Sequence, residues 1–129
     1  MIVVDSSVWI DFFAARPTRA ALTLKERIEP DTVIVGDIVL AEVLMGARSA
    51  GHAAQLETAL RRFRVETMGG TEAAIMAAAH YRHLRTHGFT VRRATDMFIG
   101  TFCIARGYAL LHAERDFEPM VTHLGLTVL

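Results

Sequence analysis

The chain has 129 residues, 52% hydrophobic and 22% charged, and its 14 Lys and Arg balance its 14 Asp and Glu to a formal net charge of zero. That length suits one domain, residues 1–129, and the apolar content excludes a disordered or low-complexity chain. No apolar run reaches the about 20 residues that cross a bilayer, the opening segment holds Asp5 and Asp11 without a basic cluster, and Cys103 has no partner cysteine, so no membrane anchor, signal peptide or disulfide is expected and the expected setting is a reducing cytoplasm.

The elements follow in chain order. Residues 2–4 are apolar and too few for a helix, so they are predicted as a strand. Ser6 or Ser7 can cap a helix that carries Val8, Trp9, Ile10, Phe12 and Phe13. Pro17 and Thr18 interrupt, residues 20–28 are predicted helical, Pro30 and Asp31 turn, and residues 33–35 form a second strand. Asp37 can cap a helix to about Ala47, and Gly51 is expected to part it from another over about 52–63. A third strand is predicted over 65–68, ended by Gly69 and Gly70. Thr71 begins a long Ala-rich helix that stops near Gly88, with Glu72 in the first turn, where the helix dipole favours it. Thr95 can cap a helix that runs to Gly107, a good left-handed terminator. Residues 109–111 read as a strand, 114–122 as a short helix and 126–129 as a last strand.

These strands are short and uniformly apolar, which is the pattern of strands covered on both faces. Alternation with helices then gives an α/β class, with a short, mostly parallel sheet flanked by helices. In such sheets, sites form beyond the carboxyl ends of strands. Asp5 directly follows the first strand, Asp96 opens a helix after a loop, and Glu114 and Asp116 follow the strand at 109–111. Glu42 lies mid-helix among apolar neighbours, where an ionised carboxylate is costly unless it is paired or binds a metal. Each has an ordinary explanation. Asp is common at helix N-termini, Glu42 could reach solvent or pair with an Arg such as Arg48, and Glu114 and Asp116 could be surface residues. Their convergence at one end of one sheet argues for a site, because clustered like charges call for a cation. Oxygen-only donors favour a hard ion such as Mg²⁺ or Mn²⁺.

The segment from Val3 through Asp5, Ser6 and Ser7 to Ile10 resembles the opening strand and first catalytic Asp of the PIN-domain ribonucleases, the family of VapC toxins. Ser7 matches their Ser or Thr two residues on. The run from Ile38 through Glu42 to Gly46 resembles the helix that bears their Glu. Arg93, Ala94, Thr95 and Asp96, continuing to Gly100 and Gly107, are similar to the helix with their third acid. Leu110 to Phe117 resembles their late strand and loop. The match spans essentially the whole chain, in order. The late loop departs from the pattern, with Glu114 where relatives often have Asp and His112 near their Thr or Ser, so Glu114 and Asp116 can both supply the fourth carboxylate, with Asp116 preferred.

The resemblance implies a PIN-like fold and a Mg²⁺-dependent endoribonuclease, with Mn²⁺ able to substitute. Asp5 and Asp96 would be the main metal ligands, Glu42 would bind metal or orient water, and Asp116 would complete the set. Ser7 would hold a carboxylate or water. Water would attack the phosphodiester in line, leaving a 5′-phosphate and a 3′-hydroxyl. The resemblance further implies RNA as substrate, a VapB-type antitoxin and a toxin homodimer. An antitoxin segment is expected near the first two helices, against Trp9, Phe12 or Phe13, with a basic residue reaching the carboxylates.

With no net positive charge, contacts to RNA must be local. Arg92 and Arg93 are the expected phosphate contacts because they sit just before Asp96; Arg61, Arg62, Arg64, Arg82 and Arg85 are further candidates, most of which read better as exposed surface. His80, His83 and His87 share a helix face, yet no Cys or fourth ligand accompanies them, so a solvent or interface role is expected. A DNA-directed nuclease and a non-catalytic PIN scaffold are the competing functions; the second has no reason to keep Asp5, Glu42 and Asp96. A phosphorylated receiver domain would need an acidic pair near the first strand and a late Lys, and both are lacking.

Overall fold

The computed structural model describes residues Met1–Leu129. Four strands, β1 (Ile2–Val4), β2 (Val33–Gly36), β3 (Arg64–Glu66) and β4 (Ala109–Leu111), form one sheet in the order β3-β2-β1-β4, with every pair parallel. Seven helices flank it: α1 (Ser6–Phe13), α2 (Arg19–Arg27), α3 (Asp37–Met45), α4 (Ala50–Leu60), α5 (Thr71–Thr86), α6 (Ala94–Arg106) and α7 (Glu118–Leu124). Helix α1 packs on α2 and α3, and α5 packs on α6 and α7. The apolarity of β1, β2 and β4 has its cause here. All four residues of β2 are buried, as are Val3, Val4, Leu110 and Leu111, so these strands have no face left for alternating polar residues. The edge strand β3 departs from the expected apolar run at 65–68: it spans Arg64–Glu66, with Arg64 and Val65 exposed. One continuous core of 25 buried residues joins both helix groups to the sheet.

Several helix starts differ from expectation, for a common reason. Asp5, not Ser6 or Ser7, is the N-cap of α1, and it makes no side-chain cap bond. The strand passes straight into the helix, and the Asp5 side chain is engaged by Ser7 instead. Gly36 is the N-cap of α3; Asp37 is the first helical residue, and its Oδ1 accepts from the backbone N–H groups of Ile38 and Met68, both at 2.9 Å. A Cβ at Gly36 would overlap the side chain of Met68, which is why the smallest residue stands there. Gly51 lies inside α4, whose N-cap is Ser49, accepting from His52 N–H at 3.1 Å; the chain breaks at Gly46 to Ser49. Arg93, not Thr95, precedes α6 as N-cap.

The region 114–122 divides into a 3-10 turn (Arg115–Phe117) and α7. No last strand forms over 126–129: Val128 makes a single parallel bridge with Leu110, because only Leu110 N–H to Thr127 and Leu129 N–H to Leu110 bond across, at 2.9 and 3.1 Å. Gly107 adopts the left-handed conformation (φ 67°) that ends α6. Trp9 is fully buried. Its ring stacks on Phe13 at 5.6 Å and meets Phe12 and Phe63 at 5.9 and 5.4 Å. It therefore belongs to the core and offers no surface to a partner.

Candidate active site

The sheet's carboxyl edge assembles the acids. β1 delivers Asp5, whose N–H donates to Leu111 O at 2.9 Å and so ties the ends of β1 and β4 together. Asp5 is buried, and Ser7 Oγ donates to its Oδ2 at 2.7 Å. The first turn of α6 delivers Asp96, also buried. α3 carries Glu42 half-buried, and Arg48 does not pair with it. Its Oε2 instead accepts from Thr95 Oγ1 at 3.4 Å. Thr95 thus helps to position the site, a role hidden in the sequence because it reads as a helix cap. Glu114 and Asp116 follow β4 and are half-buried.

Like charges in a poorly solvated place should resist ionisation. Asp96 does: burial, assisted by Asp5, Glu42 and Asp116 and opposed by Arg93, pushes its carboxyl up to about 6. Glu42 is raised too, first by burial and then by Asp5, while Ser6, Arg93 and Thr95 pull it back. Asp116 is among the charges acting on Asp96. Glu114 enters through Arg93.

Arg92 and Arg93, the expected phosphate contacts, both turn toward the acids while remaining partly exposed. Arg93 Nε lies 3.4 Å from Asp96 Oδ2 and its Nη2 lies 3.7 Å from Glu114 Oε1. Asp96 first, then Glu114, Asp5 and Glu42, hold the guanidinium more firmly charged. The backbone N–H and the Nε of Arg92 both donate to Asp116 Oδ2 at 3.3 Å. Arg93 is therefore the resident counter-charge of the cluster, and Arg92 closes on its rim.

His112, at the exit of β4, accepts from the Glu114 N–H on its Nδ1 at 3.1 Å. That bond leaves the proton on Nε2. Burial lowers the ring's basicity, against the pull of Asp5, so the ring is a neutral donor beside the cluster.

The histidine stripe on α5 is parted by the fold. His80 Nδ1 bonds Thr101 Oγ1 at 3.0 Å, whereas His87 stacks on His123 at 4.2 Å. No three His, Cys, Asp or Glu side chains anywhere converge closely enough to chelate an ion as they stand. At the carboxylate cluster the donors are nonetheless those a hard dication takes, all oxygen. Glu42 Oε1 and Asp96 Oδ2 are buried there without a hydrogen-bond partner. Buried acceptors without donors are rare, and a cation would satisfy both. The residues present fit Mg²⁺ or Mn²⁺, provided Arg93 yields its position.

The sequence profile of the PIN domain matches residues 2–120. Ribonuclease VapC11 of Mycobacterium tuberculosis is 26% identical over 120 residues, covering 92% of this chain and 90% of its own. The structure is similar to that of VapC20 of Mycobacterium tuberculosis, described as a sarcin–ricin loop cleaving toxin, with a TM-score of 0.69 and 25% identity over 92% of this chain and 93% of that one. It is also similar to a chain of a toxin–antitoxin complex from Klebsiella pneumoniae, with a TM-score of 0.71 and 19% identity over 91% and 90% of the two chains.

Proposed function

The chain belongs to the PIN domain family, and on that premise we propose that it is a Mg²⁺- or Mn²⁺-dependent endoribonuclease, the toxin of a toxin–antitoxin pair. The observation that carries this reading is the pair of partnerless buried oxygens, Glu42 Oε1 and Asp96 Oδ2, within a carboxylate cluster at the sheet's carboxyl edge. The ribonuclease names of relatives that span nearly the whole chain support it.

Asp5 and Asp96 would hold the ion, with Glu42 and Asp116 completing the set. A bound dication supplies charge stabilisation at the phosphate and makes water a better nucleophile at neutral pH. The chain's own residues do the rest. Ser7 fixes the rotamer of Asp5 through its 2.7 Å bond. Thr95 holds Glu42 through Oε2, which leaves Oε1 to face the ion's water, orient it for attack and take its proton. Attack on phosphorus breaks the bond to the 3′-oxygen, which leaves as a hydroxyl after protonation by solvent, and the 5′-phosphate remains on the other fragment.

The antitoxin finds a groove of about 260 Å³ between α1, α3 and α4, lined by Ile10, Phe13, Val43 and Leu56 with Arg16 and His52 at its edges. Of the expected contacts Phe13 lines this groove, joined by Ile10, whereas Trp9 and Phe12 do not. A basic antitoxin side chain would take the place Arg93 occupies among the carboxylates and so compete with the metal. We place the activity in the cytoplasm, where RNA is available, and the working form as a homodimer; no helix is long and apolar enough to cross a membrane.

The test is cleavage of single-stranded RNA by the purified chain with Mg²⁺, with Mn²⁺ and with EDTA, alongside the same sequence in DNA. Cleavage of RNA alone, dependent on the ion and reduced about a hundredfold or more in Asp5→Asn and Asp96→Asn, is the expected result. Cleavage in EDTA, or full activity of either variant, overturns the reading.

A further inference from the structure

The neutral formal charge raises the question of what holds the RNA. Arg92 and Arg93 already face Asp116, Asp96 and Glu114. Among the arginines that pair with no acid, two share one face of α2. Arg19 and Arg27, both exposed on α2, have no carboxylate partner. They stand with Thr23 at spacings of four, so the three share one helix face. That face forms one wall of a cavity of about 500 Å³.

The opposite wall is the exit of β4, Leu111 and His112. Leu111 is the residue whose carbonyl takes the Asp5 N–H, so the cavity opens directly beside the carboxylate cluster. Its chemistry is mixed in the way a nucleotide requires. Arg19 and Arg27 offer charged forks for phosphate oxygens. His112, its Nδ1 already taken by Glu114 N–H, has an Nε2–H left to donate. Thr18 Oγ1 accepts from Ala21 N–H and keeps its own proton free to give. Leu111 supplies apolar surface.

Building on the ribonuclease reading, we propose that the cavity between α2 and the end of β4 is an RNA subsite, in which Arg19 and Arg27 grip the backbone and His112 donates to the nucleotide next to the scissile bond. The strand would then cross the carboxylates with one flank on α2. This flank carries the salt-dependent part of the affinity, because its charges are uncompensated before RNA arrives. An acidic protein segment would meet the same cations, and binding of RNA in place of such a segment is what the experiment separates.

The experiment measures binding of a labelled single-stranded RNA oligonucleotide in EDTA over a range of KCl, and separately KM and kcat for its cleavage with Mn²⁺. Wild type is compared with Arg19→Ala/Arg27→Ala, with His112→Asn, which keeps an acceptor for Glu114 N–H but loses the far donor, and with Arg62→Ala as an exposed control. The double variant should bind about tenfold or more weakly, lower the salt slope by about 1.4, at roughly 0.7 per lost phosphate contact on a single strand, and raise KM with kcat nearly unchanged. His112→Asn should weaken binding without changing the slope, and Arg62→Ala should change neither. An unaltered slope and KM in the double variant would overturn the subsite while leaving the ribonuclease intact. The same holds if the double variant loses affinity for the antitoxin but not for RNA. Wild type that binds RNA through α2 yet cleaves it with neither ion would keep the subsite and sink the ribonuclease.

Discussion

Arg93 Nε stands 3.4 Å from Asp96 Oδ2, and the residue that brings it there is the N-cap of the very helix whose first turn carries the acid. The fold thus supplies its own cation to a cluster that would otherwise repel itself. The contact lacks hydrogen-bond geometry, since Asp96 Oδ2 remains without a partner, so it compensates charge without saturating the oxygen.

Removing Arg93 should therefore have opposite effects on two measurements. Arg93→Ala should lower the stability of the metal-free protein by about 1 kcal/mol, a modest figure because the side chain is half exposed and screened. It should tighten Mn²⁺ binding several-fold, because the ion no longer displaces a resident guanidinium. Melting curves in EDTA and calorimetric titration with Mn²⁺ check both. A variant that binds Mn²⁺ more weakly would show that Arg93 supports the ion rather than competing with it.

The raised carboxyl of Asp96 fixes the sign of a pH effect. The folded state holds this proton to about pH 6, whereas an unfolded Asp releases it near 3.9. The folded state thus binds more protons between those values, and metal-free stability should fall as pH rises from about 4 to about 6. Asp96→Asn should flatten that dependence. Metal must displace the same proton, so Mn²⁺ affinity should rise over the same window. Stability in EDTA that climbs through this range in wild type, and is unaffected by Asp96→Asn, would refute the assignment.

Thr95 distinguishes a cap from a positioning residue. As an N-cap, its loss would cost about 1 kcal/mol of stability. The structure places the cap at Arg93 and the Thr95 hydroxyl on Glu42. Thr95→Ala should leave the melting temperature nearly unchanged and lower kcat about tenfold, with KM constant. Thr95→Ser should restore most of the activity. A fall in stability with kcat intact would return Thr95 to the helix terminus.

Gly100 is a tight point behind the site. A Cβ there would overlap the Met120 side chain, which is fully buried. Gly100→Ala should destabilise by about 1–3 kcal/mol through overpacking, despite the better helix propensity of Ala. Trimming the neighbour in Gly100→Ala/Met120→Val should recover part of the loss in a denaturant titration.

The sequence by itself determined the parallel sheet and the position of the acids. Burial on both faces leaves a strand no choice but unbroken apolar residues, as in β2, and such runs are visible without coordinates. Asp5 at the end of β1 and Asp96 at the start of α6 follow from those element boundaries, because in a parallel sheet they arrive at one edge. Only the tertiary structure decided which side chains answer them. Glu42 and Thr95 are 53 residues apart, and nothing local to either distinguishes a hydroxyl that caps a helix from one that holds a carboxylate. Arg93 could equally have faced solvent; the joint field of Asp5, Glu42, Asp96 and Glu114 turns it inward. Trp9 could have lined a groove, but Phe12, Phe13 and Phe63 close over it. A side chain's partner is set by what the packed elements bring within reach, and that distance is not written in the spacing along the chain.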